Sequence, residues 1–193
     1  MKKLLLMAAV MLSSVGAFAQ HAVGSFTLQP KVGINITNTT NYSDVAKARV
    51  DFAGGLEGEY QVSDIFSLSG GLMYSRQGYK AKDVAKVGDL KIAGKDWKPS
   101  YLNIPVMANV YVVPGLAVKL GIQPGFMVDK DDASDVNTFD LSIPVGLSYE
   151  YNNFVLDGRY NWGVTKINKH SIKGFDDTRN SVFQITLGYK FSL

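Results

Sequence analysis

The sequence predicts an all-β fold: a single eight-stranded antiparallel transmembrane β-barrel with short periplasmic turns and long extracellular loops. Three observations carry that expectation. The last stretch, residues 181–193, is apolar at every second position (Phe183, Ile185, Leu187, Tyr189, Phe191, Leu193), with Gln184, Thr186, Gly188, Lys190 and Ser192 between them. A period of two places one set on each face of a strand. Seven earlier segments repeat the pattern. The connections between segments alternate long and short, as short turns at one end of a barrel and long loops at the other require.

The chain opens on a different pattern. Lys2 and Lys3 precede an apolar run over residues 4–15, and Ala17-Phe18-Ala19 is an A-x-A site before Gln20. This reads as a secretory signal peptide over residues 1–19, followed by a short leader at 20–25 and the barrel at 26–193. No Cys is present, so lipidation of a thiol, disulfides and thiolate metal sites are excluded. The formal charge of +3 falls to +1 without Lys2 and Lys3 (3 − 2 = 1), a balance that gives no reason to expect nucleic acid. About 170 residues remain, enough for one domain. None of them forms the run of about 18 apolar residues that a membrane helix needs.

The first strand starts at Phe26 and runs through Ile36, with Pro30 marking a bulge because it cannot donate to a ladder. Residues 37–49 form a polar loop. Strand two covers 50–62, and Ser63-Asp64 turns into strand three at 65–78. A loop rich in Lys, Asp and Gly fills 79–100. Strand four is one run over 101–112. Pro114-Gly115 turns into strand five at 116–128. An acidic loop leads to strand six at 139–151, Asn152-Asn153 turns into strand seven at 154–165, and a last loop precedes strand eight, which pairs with strand one. Lengths of 11 to 13 residues suit a tilted crossing of the hydrocarbon layer.

One face of every strand is large and apolar, and the other carries charge. In an outer-membrane barrel the apolar face points outward to lipid. Aromatic residues gather near strand ends on that face: Tyr60, Phe66, Tyr149, Tyr151, Phe154, Tyr189 and Phe191 toward the short turns, and Tyr74, Phe126, Phe139 and Trp162 toward the loops. They read as two interfacial girdles. On the polar face Glu57, Glu59, Glu150 and Asp157 lie at heights comparable with Lys31, Lys119, Arg159 and Lys190. Eight strands enclose a space that side chains fill. Charges there must pair, since an isolated buried charge is costly. The expectation is an internal salt-bridge network plugging the periplasmic half.

The signal with its KKLLL start, YLNIPV at 101–106, FDLSIPVGLSYEY at 139–151, DGRYNWGVTKI at 157–167 and the terminal GYKF together resemble the PorT-like outer-membrane barrel family of Bacteroidota. The resemblance covers essentially the whole mature chain, and YLNIP is its most telling motif. It implies insertion by the barrel-assembly machinery through a C-terminal signal, here Tyr189, Phe191 and Leu193. That signal usually ends in Phe or Trp, and this chain ends in Leu. The family implies no common enzymatic activity and no cofactor.

Other constellations carry less. His170-Ser171 and Asp176-Asp177 in the last loop suggest an outer-leaflet lipid enzyme, set against a plain solvated loop. His21 reads as exposed tail. Asp129, Asp131, Asp132 and Asp135 offer carboxylates for Ca²⁺ but lack the Gly and Glu of an EF-hand loop. Lys80, Lys82, Lys86, Lys91, Lys95 and Lys98 make the second loop basic, suited to lipopolysaccharide phosphates or simply to solvation. The leading functional expectation is a non-enzymatic, monomeric barrel of the cell outer membrane. Its lumen is filled, its partners are outer-membrane lipids and lipopolysaccharide, and its loops carry a structural or surface role. A narrow pore or lateral path for a small or apolar solute comes second, and the lipid enzyme third.

Overall fold

The computed structural model describes residues 21–39, 46–47, 49–77, 80–81, 85–87, 90–92, 99–129, 138–165 and 180–193. Eight strands form its wall: β1 (Phe26–Thr39), β2 (Arg49–Ser63), β3 (Phe66–Arg76), β4 (Ser100–Asn103 with Val106–Val113), β5 (Leu116–Asp129), β6 (Phe139–Tyr151), β7 (Phe154–Gly163) and β8 (Asn180–Tyr189 with Phe191–Ser192). Each pairs antiparallel with the next, and β8 returns to β1. The sheet is therefore closed and has no edge.

Following ladder partners round the wall from Phe26 passes through Tyr60, Leu68, Ala108, Leu120, Val145, Tyr160 and Phe183 and returns to β1 at Ile36. The stagger is ten residues (36 − 26 = 10). A stagger of this kind tilts the strands and fixes which side chains share a height inside. The alternation of faces breaks where β5 shifts register between Met127 and Asp129, and there the adjacent Ser100 and Tyr101 of β4 are both buried. Val32, Phe52, Leu72, Leu120, Leu147 and Leu187 are exposed on the outside, while Lys31, Glu57, Asn109, Lys119, Asp157 and Gln184 are buried inside. This inversion, apolar out and polar in, is what lipid surroundings favour.

The girdle residues meet one another. Phe126 and Phe139 cross edge-on at 5.6 Å near the loop end. Near the short turns Tyr189 packs against Phe154 at 5.0 Å and Phe191 at 4.8 Å. Asn152 and Asn153 both take left-handed backbone angles, φ 49° and 68°, the pairing a tight type I′ hairpin requires.

Several local expectations are corrected. Pro30 causes no bulge: β1 holds one register with β2 throughout, with Pro30 opposite Leu56. Its missing N–H falls opposite Tyr189, where β8 is interrupted before resuming at Phe191 in the same register. Residues 181–193 are therefore not one unbroken strand. Strand four also breaks, at Ile104-Pro105, because proline cannot donate there. Bonds from Gly71 N to Pro105 O (3.0 Å) and from Ile104 N to Pro124 O (2.8 Å) carry the wall across the gap. The turn after β2 sits at Asp64-Ile65, one residue later than expected. Arg49 opens β2 instead of closing a loop, and β1 extends to Thr39. Beyond the wall, Ala46–Lys47 pairs with Lys80–Ala81, and Ala85–Val87 pairs with Leu90–Ile92. Residues 1–20, His170, Asp176, Asp177, Asp131, Asp132, Asp135, Lys82, Lys95 and Lys98 lie outside the described residues.

Candidate functional site

The lumen holds the eight charged residues singled out from the sequence, and the structure sorts them into two tiers. The larger tier joins β1, β2, β5 and β7. Lys31 Nζ donates to Glu57 at 2.9 Å and to Asp157 at 3.5 Å. Lys119 Nζ donates to the same two carboxylates at 2.7 and 3.1 Å. Arg159 grips Asp157 with two parallel bonds, Nε to Oδ1 at 2.8 Å and Nη2 to Oδ2 at 2.7 Å, and reaches Glu57 at 3.1 Å. Two-point guanidinium–carboxylate contact fixes direction as well as charge. Three cations thus enclose two anions, and all five side chains are between 0 and 3% exposed.

The second tier lies closer to the short turns, on β2, β4, β6 and β8. Lys190 Nζ pairs with Glu59 at 3.0 Å and Glu150 at 2.8 Å. It also donates to the Tyr111 hydroxyl at 3.2 Å, and that hydroxyl in turn donates to Glu59. Ser67 donates to Glu59 at 2.5 Å, and Asn109 donates to Ser67 at 3.0 Å. Here one lysine serves two carboxylates. His21 makes up the difference, with Nε2 lying 3.0 Å from Glu150 Oε1. The reading of His21 as exposed tail is therefore corrected: its side chain is 14% exposed and crosses the barrel mouth to β6.

Room for these side chains comes from glycine across the ladder. Lys31 is flanked by Gly55 and Gly188, Glu57 by Gly71, and both Lys119 and Arg159 by Gly146. A Cβ on Gly146 would lie 2.5 Å from Gly158 O and 2.8 Å from Arg159 Cβ. A filled barrel alternates small and large residues in this way.

Toward the loops the lumen turns from charge to amides and hydroxyls. Asn35 donates to Ser75 at 2.7 Å, Gln77 donates to Ser75 at 3.0 Å, and Arg49 pairs with Asp51. Sequence reasoning missed Tyr111, Ser67 and Asn109 as partners in the lower tier. Parity shows which way a residue points, but partners depend on the stagger between strands. Among the residues of the expected insertion signal, Tyr189 joins the lower girdle, and Leu193 N donates to Phe26 O at 3.0 Å. No group of three His, Cys, Asp or Glu among the described residues is arranged to hold a metal ion.

Residues 18–169 match the family described as outer membrane protein beta-barrel domain. The chain belongs to that family. It is an outer-membrane β-barrel protein. Its fold is similar to solved barrels at low sequence identity. Ail, the attachment invasion locus protein of Yersinia pestis, is 16% identical with a TM-score of 0.52, over 88% of this chain and 100% of that one. OprG of Pseudomonas aeruginosa is 17% identical with a TM-score of 0.52, over 91% of this chain and 99% of that one. Neisserial surface protein A is 17% identical with a TM-score of 0.50, over 86% and 97%. No curated protein matches the sequence.

Proposed function

We propose that this is a non-enzymatic, monomeric outer-membrane barrel whose lumen is sealed and whose role lies at its surface. The observation that carries the reading is the larger tier. Lys31, Glu57, Lys119, Asp157 and Arg159 meet across the lumen with at most 3% of each side chain accessible. A conducting path would have to pull these ion pairs apart and open a water-filled gap through the layer they fill. The PorT-like resemblance of YLNIPV and the β6 and β7 sequences supports the same reading, as do a cleaved signal at 1–19 and an insertion signal at Tyr189, Phe191 and Leu193. The barrel-assembly machinery is the partner during insertion.

The surface partner we assign is the anionic headgroup of lipopolysaccharide. Its support is the run of lysines over 80–98 (Lys80, Lys82, Lys86, Lys91, Lys95 and Lys98), whose charge suits phosphate. Planar-bilayer recording of the refolded protein tests the sealed lumen. Insertion without conductance is expected. Stable steps that scale with salt concentration would move the transport reading ahead of this one.

A further inference from the structure

The leader before β1 is built into the fold. Ser25 N donates to Ala22 O at 2.9 Å, closing a turn in which Gly24 takes a φ of +87°. Gly24 N then donates to Gln61 O at 2.8 Å and Gln61 N to Ser25 O at 3.0 Å, which lays the leader along the end of β2. From there the chain turns inward, and His21 meets Glu150 on β6. In the ring of strands β6 is three places from β1, reached through β8 and β7. The segment therefore spans the short-turn mouth instead of trailing from it.

The lower tier explains why a histidine stands there. Glu59 on β2 and Glu150 on β6 share Lys190 on β8, beside the Tyr111 hydroxyl on β4. That is one cation for two anions. Glu150 directs Oε2 to Lys190 and Oε1 to His21. Charge-assisted hydrogen bonds are roughly twice as strong as neutral ones.

We propose that residues 21–25 form a strap across the periplasmic mouth, latched by His21 on Glu150, and that losing this one contact frees the strap. The strap is independent of the seal above it, because the larger tier does not touch the leader.

The chain has no cysteine, so Ala22→Cys, at an exposed position, provides a single thiol for a nitroxide label on the exported barrel in lipid vesicles. In the parent the label should be restricted. His21→Lys, which can still donate to Glu150, should keep it restricted. Glu150→Gln should raise the mobile fraction severalfold. Amide exchange at Gly24 should run about tenfold faster in Glu150→Gln, the effect of losing one charged hydrogen bond. A label already mobile in the parent would overturn the proposal. So would a label that stays restricted in Glu150→Gln, or protection at Gly24 unchanged by that substitution. His21→Ala leaves the barrel's own pairs untouched, and a label that stays restricted in it would sink the latch as well.

Discussion

Replacing Glu57 by Gln removes one charge and almost no volume. In the larger tier this carboxylate accepts from Lys31 at 2.9 Å, Lys119 at 2.7 Å and Arg159 at 3.1 Å. The parent tier has three cations and two anions, and Glu57→Gln leaves three cations around Asp157 alone. Lys31→Met instead leaves two of each. Every contact near 3 Å corresponds to about 5–6 kcal/mol of Coulomb energy at an effective dielectric of 20, before desolvation. Removing one partner of a buried pair costs about 3–5 kcal/mol. Glu57→Gln should fall in that range, and Lys31→Met should cost about 1 kcal/mol or less, since the balance improves as a lysine is lost. With a urea dependence of about 2 kcal/mol per molar, the Glu57→Gln midpoint should drop by about 2 M. Equilibrium unfolding in lipid vesicles, followed by the fluorescence of lipid-facing Trp162, measures both variants, with equal slopes as the condition for comparison. If Lys31→Met lost as much stability as Glu57→Gln, the accounting by tier would be wrong. The double variant adds a check: Lys31→Met should restore part of what Glu57→Gln loses, because it relieves repulsion among the remaining cations.

Two further outcomes test the wall. Gly146→Ala forces a Cβ against Gly158 O and Arg159 and should cost about 1–3 kcal/mol by overpacking. Gly158→Ala points outward, with nothing within 4 Å of its added Cβ, and should stay within about 0.5 kcal/mol of the parent in the same unfolding assay. Leu120→Arg, on the exposed outer face of β5, should lower stability by about 2–4 kcal/mol in vesicles if that face lies deep in lipid. A neutral result there would contradict the assigned orientation.

The alternation of faces was legible because the barrel applies one rule to every strand. Across both interruptions the strands keep their parity, so direction could be read from the alternation, and it fails at the shift between Met127 and Asp129, where Ser100 and Tyr101 are both buried. The interruptions at Ile104-Pro105 and Lys190 were harder to place, since proline permits either a bulge or a gap in the hydrogen bonds. Here neighbouring strands preserve the register. The charged residues were legible as a set, but their division into three-with-two and one-with-two was not. That division follows from the ten-residue stagger, which sets Lys31 beside Asp157 rather than beside Glu150, and no local pattern encodes it. His21 was misread for a related reason. Its partner lies 129 positions away across the mouth, while its sequence neighbours suggested only a processing site.

The seam between β1 and β8 has a consequence for how the chain assembles. It joins Lys31 to Gly188, so this ladder cannot form until nearly the whole chain is available. The larger tier is under the same constraint, with the Lys31–Asp157 pair spanning 126 positions. Long-range pairings of this kind are slow, because the entropy of closure is spent before any contact rewards it. A partly assembled sheet would hold Lys31 and Glu57 without Asp157 and Arg159, so each would lack its contact across the lumen. Closing the ring and completing the tier are therefore one event, and intermediates short of it have little to hold them in the bilayer. The last strand to arrive completes the hydrogen-bond circuit as the ion-pair network assembles, which makes maturation of this barrel close to all-or-none.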